Sequence, residues 1–397
     1  MTRRLAPVAV LVAALMPVVL RAQSEPIASG FDAVVKQAVE AREAGRFDEA
    51  IAGYRKALEL KPSWTEGRWD LAMLLYHVDN YGDARDLFAT IVEADPARSL
   101  PRALKGLCEF KLGNHDAALD DLQHARRQRV DDAQVRPVAD FHLALLLNRA
   151  GNPDAAFEIL AGFVQDEKEA PVVIAALGLA VLRMPILPDD IPPDKREMVL
   201  LAGRGGYHMA RVRRSAIGRL AFDELATRYP VAPNVHYAFG SYLLAEEPEA
   251  AIEEFRKELR LTPDHYPAML QMALAETRRG NPEAAIPLAE RAVELAPDAP
   301  AGRLMLGRAL LAAGQTERAI QQLERGVQLA PENPGFYFSL GTAYQRAGRD
   351  EEAARARAEF QRLQQETGDR RQETGDRRQE TGDRRQEQRS YGATELR

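Results

Sequence analysis

The sequence predicts an all-α fold built from consecutive antiparallel helix pairs. Alanine recurs at intervals of 34 residues, at Ala50, Ala84 and Ala118 and again at Ala251, Ala285, Ala319 and Ala353. A fixed interval of this length is typical of a repeat array in which each repeat is one small supersecondary structure. The segments around these alanines have apolar residues at helical spacing, and the chain contains no convincing strand pattern. These observations together favour a stack of helix hairpins with one continuous core.

The first segment has the features of an export signal. Arg3 and Arg4 precede an uncharged apolar run from Leu5 to Leu20, and Ala22 provides a small residue for cleavage. This arrangement is typical of a secretory signal peptide. We therefore expect residues 1–22 to be a signal peptide, residues 23–30 a linker, and the mature protein to be periplasmic or secreted. An uncleaved anchor is the alternative, although a membrane span needs about 20 apolar residues.

Nine repeats follow, at 31–64, 65–98, 99–132, 137–170, 199–232, 233–265, 266–299, 300–333 and 334–367. Their eighth residues are always Ala or Gly, and so are their twentieth residues, except that in 233–265, which has lost one residue in its turn, the equivalent Ala251 is the nineteenth. Two antiparallel helices can approach closely only where the contact point carries almost no side chain, so each repeat is predicted to be one hairpin. The eighth residues are Ala38, Ala72, Gly106, Ala144, Gly206, Gly240, Ala273, Gly307 and Gly341. A larger apolar residue stands four places after the twentieth in most repeats, as Tyr54 and Phe255 do.

Proline and glycine mark where the helices end. A proline closes six repeats, where a residue without an N–H stops the second helix: Pro62, Pro96, Pro230, Pro263, Pro297 and Pro331. A glycine stands between the two helices of six repeats, where a left-handed backbone cap is expected: Gly45, Gly113, Gly151, Gly280, Gly314 and Gly348.

The repeated segment resembles the tetratricopeptide repeat. The resemblance is carried by GRFDEAIAGYRKALELKP (45–62), GNPEAAIPLAERAVELAP (280–297) and GQTERAIQQLERGVQLAP (314–331), and it extends over residues 31–367. It implies a right-handed α-solenoid of antiparallel hairpins that binds other proteins or peptides. With the export signal, it suggests a bacterial exported member of the family.

Two segments depart from the repeat. Residues 171–198 contain an apolar segment (171–183) predicted to be a buried helix, followed by a proline-rich segment, MPILPDDIPPDK (184–195). This irregular insert is expected to interrupt the array, leaving four repeats at 31–170 and five at 199–367. In the tail at 368–397 the low-complexity sequence QETGDRR recurs without apolar positions, so disorder is expected.

Composition and motifs argue against several functions. The formal net charge of −6 argues against nucleic acid as a partner, since phosphate binding requires surplus Lys and Arg. Cys108 is the single cysteine, which rules out an intramolecular disulfide, and its apolar neighbourhood predicts a structural role. The sequence contains no phosphate-binding loop, nucleophile elbow or HExxH motif. His115, Asp116, Asp120 and His124 lie close in sequence, but the two histidines do not share a helix face. We therefore expect no enzyme activity, cofactor or metal, and membrane contact only through an uncleaved signal.

The resemblance also implies where a partner binds. In the family, the second, fifth, ninth and twelfth residues of a repeat line the concave groove formed by the first helices. Transferred to this chain, those places predict partner contacts at Trp69, Tyr76, Phe110, Phe141, Tyr207, Tyr237, Arg308 and Phe338. Aromatic residues and Arg often anchor a protein partner. The Lys- and Asn-based clamp for acidic chaperone tails is missing, because Val35 and Val39 occupy its places in the first repeat.

The leading hypothesis is an exported, non-catalytic scaffold that holds a peptide or helix of an envelope protein in this groove. Two alternatives remain open at this stage. One is a structural envelope protein that binds a glycan through the aromatic residues, for which Glu66 and Asn148 are the nearby polar candidates. The other is a non-catalytic subunit of a transferase complex.

Overall fold

The computed structural model describes residues 30–164, 170–211 and 216–366. The predicted signal peptide at 1–22, most of the linker and the tail at 368–397 lie outside these ranges. The described chain is all-α, with nineteen α-helices and no strand in the described ranges. The helices are α1 Phe31–Glu43, α2 Phe47–Leu60, α3 Thr65–His77, α4 Tyr81–Ala94, α5 Ser99–Lys111, α6 His115–Gln128, α7 Val135–Arg149, α8 Pro153–Ala161, α9 Pro171–Val181, α10 Arg196–Met209, α11 Ala216–Arg228, α12 Val235–Leu243, α13 Pro248–Leu261, α14 Tyr266–Arg278, α15 Pro282–Leu295, α16 Pro300–Ala312, α17 Thr316–Leu329, α18 Pro334–Arg346 and α19 350–366.

The chain divides into two compact bodies between Ala221 and Phe222, within α11. We call the described residues up to Ala221 the N-terminal body and those from Phe222 on the C-terminal body. The boundary lies downstream of 171–198, where the sequence predicts an interruption. In the N-terminal body, α1–α2, α3–α4, α5–α6 and α7–α8 are hairpins. In the C-terminal body, the pairs α12–α13, α14–α15 and α16–α17 are hairpins of the same kind.

The small residues lie where the two helices of a hairpin meet, as predicted. Ala50, Ala84, Ala118, Ala251, Ala285 and Ala319 are fully buried. The large residue four places later fills the space beside the eighth residue of its own repeat. A Cβ added to Gly240 would lie 2.6 Å from Phe255 Cε1, and one added to Gly307 would lie 2.5 Å from Leu323 Cδ2. These contacts leave no room for a side chain at the eighth place.

The six turn glycines adopt the left-handed backbone that the sequence predicts, with φ between +70° and +80°. In the second hairpin, Asp79 takes the equivalent place with φ of +61°. A non-glycine residue is uncommon in this conformation, and Asp is among the side chains that tolerate it best.

The apolar segment of the insert forms α9, which is buried nearly all round, as predicted. The repeat pattern predicts no partner helix for α9. In the structure, α10 packs closely along it. The two backbones touch at a pair of glycines. A Cβ on Gly178 would lie 2.0 Å from the Val199 carbonyl oxygen, and one on Gly203 would lie 1.9 Å from that of Ile174. The pair α9–α10 is therefore a hairpin that the repeat assignment does not contain.

The proline-rich segment connects α9 to α10 through two short 3₁₀ turns, Pro188–Asp190 and Pro193–Lys195. One side chain of α7 holds its beginning in place. The Asn148 amide is buried, and its Nδ2 donates to the Met184 carbonyl at 2.6 Å. Leu187 packs against the core of the N-terminal body. The connector is thus attached to the hairpin stack of the N-terminal body.

Candidate functional site

Four of the predicted partner residues lie on successive first helices of the N-terminal body. Trp69 and Tyr76 are on α3, Phe110 is on α5 and Phe141 is on α7. Each is half-buried and packs against the hydrophobic core with one part of its ring. We call these four residues the aromatic face. They combine packing against the core with partial accessibility to solvent.

Neighbouring side chains fix the Trp69 ring. Its centroid lies 5.7 Å from that of Phe88 in an edge-to-face arrangement, and Phe88 itself is fully buried. The Arg98 guanidinium lies 5.9 Å from the indole centroid, within the range of a cation–π contact. A ring held in this way loses little conformational entropy when a partner binds.

The other rings of the face form further contacts. Tyr76 packs edge-to-face on Tyr81 at 5.6 Å, whereas Phe110 and Phe141 meet through His142, at 4.6 and 5.9 Å. The sequence did not predict His142 as part of the site, because it stands at the sixth place of its repeat, one residue after the predicted contact at Phe141. Its Nδ1 donates to the Val138 carbonyl at 2.7 Å.

Burial keeps the rings of Tyr76 and His142 uncharged. It raises the pKa of Tyr76 to about 12 and lowers the pKa of His142 below its ordinary 6.5. Both rings are therefore neutral near pH 7. These two rings are suited to apolar contact and to hydrogen bonding, and a charge enters the aromatic face through Arg98, which lies beside Trp69.

Comparison with protein families matches most of the hairpins. One model described as a tetratricopeptide repeat matches residues 41–108, 276–334 and 310–370, and a second matches 104–171 and 241–300. Together these ranges span 41–171 and 241–370, which is more than half of the 397 residues. The chain belongs to the tetratricopeptide-repeat family. The matched ranges omit 172–240, where the α9–α10 hairpin lies.

Solved tetratricopeptide-repeat structures resemble this chain at low identity. MamA from Desulfovibrio magneticus RS-1 is 24% identical over 38% of this chain and 85% of its own, with a TM-score of 0.35. Yeast Tom70 is 14% identical over 84% of this chain and 85% of its own, with a TM-score of 0.35. Cut9–Hcn1 from the APC/C is 16% identical over 85% and 80%, with the same TM-score. No curated protein matches the chain.

Two predicted contacts lie in the core of the tetratricopeptide hairpins and not on their surface. Tyr207 is 3% exposed and belongs to the core of the N-terminal body, because α10 packs against α9. Tyr237 is 8% exposed, and its ring packs on His265 at 4.9 Å and Phe255 at 6.2 Å. Neither tyrosine is accessible enough to anchor a partner, which corrects the sequence-based assignment for both. Asn148, a candidate for glycan contact, is buried as well.

The remaining two predicted residues lie on first helices of the C-terminal body. Phe338 on α18 is 57% exposed, and its ring contacts Phe360 of α19 at 5.4 Å between centroids. Arg308 on α16 is exposed as well, and its Nε lies 3.4 Å from the Ser339 hydroxyl. Both residues are therefore exposed to solvent.

A buried polar cluster holds the start of α12. Glu258 stands where four other repeats have Ala or Gly, and it is fully buried. Its carboxylate accepts the backbone N–H groups of Asn234 at 2.9 Å and Tyr237 at 3.1 Å. His236 beside it contacts the Glu254 carboxylate at 2.6 Å and the Pro230 carbonyl at 2.9 Å. The cluster supplies the hydrogen bonds that the first turn of a helix requires.

Other reactive groups of the described chain serve its packing. Cys108 is fully buried, and burial raises the pKa of its thiol to about 12. Within the described ranges, no group of three His, Cys, Asp or Glu side chains is placed to hold a metal ion. None of the described helices is long and apolar enough to span a membrane.

Proposed function

We propose that this protein is a non-catalytic scaffold that binds a peptide or helix of another protein on the aromatic face. The observation that carries the proposal is the row of half-buried rings at Trp69, Tyr76, Phe110 and Phe141 on successive first helices. Trp and Tyr are enriched among the few residues that dominate protein–protein binding energy. The fold itself does not name a partner, because unrelated functions share it.

Export to the cell envelope is the second part of the proposal. It rests on the charged start, the apolar run from Leu5 to Leu20 and the small residue Ala22, all of which lie outside the described residues. Fractionation of cells expressing the full chain with a C-terminal tag tests it. We expect the tagged protein in the envelope or in the medium, with an intact mass that corresponds to a chain starting at Gln23. Finding the protein in the cytoplasm, with a chain that still starts at Met1, would contradict export.

A pull-down from envelope extract tests the binding face. Trp69→Ala combined with Tyr76→Ala removes two anchors, and each buried anchor is worth about 2 kcal/mol or more in a hot spot. We expect at least a tenfold loss of the recovered partners. Because Trp69 also packs on Phe88, a second variant, Glu66→Arg, changes an exposed residue close to Trp69 without removing core packing.

Leu60→Ala is the matched control, because Leu60 is 56% exposed on α2, a second helix. It should leave the recovered partners unchanged. If both the double variant and Glu66→Arg retain every partner while remaining helical, the binding site lies elsewhere. Loss in the Leu60 variant alone would place the site on the second helices.

A further inference from the structure

The two layers of helices in the C-terminal body carry net charges of opposite sign. The first helices α12, α14, α16 and α18 carry four arginines and a single acid, Glu276. The second helices α13, α15, α17 and α19 carry fourteen acidic and nine basic residues, so their net charge is negative. Glu276 is 4% exposed and faces the turn, where it bonds Asn281 at 3.2 Å. The accessible surface of the first helices in this body is therefore positive.

Three of the four arginines have contacts or positions that account for them. Arg303 bonds the Gln322 side chain of α17 at 3.1 Å, and Arg346 donates to the Leu311 carbonyl at 2.5 Å. Arg278 is in the last turn of α14, where a cation is favoured by the helix dipole. Arg308, in the middle of α16, is the one that differs.

Arg308 occupies a site that is unfavourable for a cation. Neighbouring atoms desolvate its guanidinium, which lowers its pKa, and no acidic residue compensates in the described chain. Its Nη2 lies beside Gly335, in the first turn of α18, where the helix dipole disfavours positive charge. Its bond to Ser339 is long and involves a neutral hydroxyl. Arg308 is exposed as a residue while its guanidinium is partly desolvated and has no acidic partner in the described chain, so an anion from a binding partner can reach it and would pair with it.

Apolar groups surround the same place. Leu304, one turn before Arg308, lies against Gly335 as well, where an added Cβ would be 3.2 Å from Leu304 Cδ2. Phe338 follows Gly335 by three residues and so lies on the same face of α18. With 57% of its surface exposed, the Phe338 ring is the second most exposed large apolar side chain described in this body. A cation and an exposed ring thus stand together on one surface.

We propose that Arg308 and Phe338 bind an acidic side chain and its apolar neighbour within an extended segment of a partner protein. The guanidinium donates two hydrogen bonds to the carboxylate, and the ring covers the apolar neighbour. This inference rests on the proposed scaffold function. It specifies which kind of partner segment the C-terminal body binds.

A displayed peptide library tests the proposal with the mature chain. Random twelve-residue peptides are fused to a coat protein through their C-termini, so that only side chains supply carboxylates. Selection is run on the immobilised wild type, on Arg308→Gln and on Arg325→Gln. Arg325 is the matched control, because it is exposed on the second helix α17 and its loss changes the net charge equally. The best peptide is then synthesised with Glu and with Gln for anisotropy titration.

We expect the wild type and Arg325→Gln to select Asp or Glu next to an apolar residue, and Arg308→Gln to lose that preference. A charge-assisted bond of this kind corresponds to about a tenfold to hundredfold difference in affinity between the Glu and Gln peptides. Phe338→Ala should weaken both peptides equally. Equal binding of the two peptides, an unchanged selection by Arg308→Gln, an Arg308-dependent dimer or no enrichment would each overturn the proposal. The pull-down with the Trp69 and Tyr76 variants tests the aromatic face independently of this result.

Discussion

Gly203→Ala tests whether backbone contact holds the α9–α10 hairpin together. The new Cβ would start 1.9 Å from the carbonyl oxygen of Ile174, whereas ordinary contact begins at 3.4 Å. The helices must therefore move apart by about 1.5 Å, the difference of these two distances. Because the obstacle is backbone, no change of side-chain rotamer can relieve it.

The expected cost follows from two opposing effects. An added methyl group in a packed interior typically costs about 1–3 kcal/mol, and a rigid obstacle favours the upper end of that range. Replacing Gly by Ala inside a helix returns up to about 1 kcal/mol. We therefore expect the free energy of unfolding to fall by about 2 kcal/mol. Gly82→Ala is the matched control, since an added Cβ there has no atom within 4 Å.

Urea unfolding followed by circular dichroism at 222 nm measures the effect. Gly203→Ala should unfold at a lower urea concentration than the wild type, whereas Gly82→Ala should unfold at the same or a higher one. A Gly203→Ala midpoint at or above that of the wild type would refute the inferred backbone contact. Gly178→Ala, on the facing helix, should reproduce the loss.

Three further predictions concern buried groups. His236 donates from both ring nitrogens only when protonated, and its bond to Glu254 raises its pKa above the ordinary 6.5. The stability that protonated His236 contributes is complete below pH 6.5 and is lost as pH rises through its folded-state pKa. The urea midpoint should therefore fall at alkaline pH. His236→Gln should reduce this dependence of the midpoint on pH. Glu258→Ala leaves the Asn234 N–H without its partner and should cost about 1–3 kcal/mol in the same assay; an unchanged midpoint would contradict this. Cys108 should react with a thiol reagent only after unfolding, and rapid labelling of the native chain would show that its site opens.

The hairpins were predictable because their contacts are local and recur. A helix crossing requires a very small side chain, so Ala50 and its equivalents recur in the sequence every 34 residues. The left-handed turn favours glycine, so Gly45 and its equivalents can be recognised in the sequence in the same way. The α9–α10 hairpin was not predictable from that period. A proline-rich connector lengthens the distance between its helices, so Gly178 and Gly203 do not recur at the spacing of the other repeats.

The candidate site was predictable in part. The position of a residue within its repeat indicates which face of the helix it occupies. It does not indicate whether side chains of a neighbouring hairpin cover that face. Trp69 and Phe338 retain an accessible surface, whereas Tyr207 and Tyr237 are covered by core packing and by the His265 ring. The isolated charge of Arg308 depends on the neighbouring first helices, whose single acid, Glu276, is buried and bonded to Asn281; this is a property of the layer and not of one repeat.

The attachment of the connector by Asn148 has a consequence for how this architecture can vary. The helices on either side of the connector already touch through their backbones, so their association does not depend on the length of chain between them. The entropy of closing a loop grows slowly, by about 0.6 kcal/mol for each doubling of its length. The exposed turn at Asp189 and Asp190, between the packed Leu187 and the buried Ile191, is therefore a place where residues can be inserted at low cost, which makes it a suitable point for grafting a new binding loop.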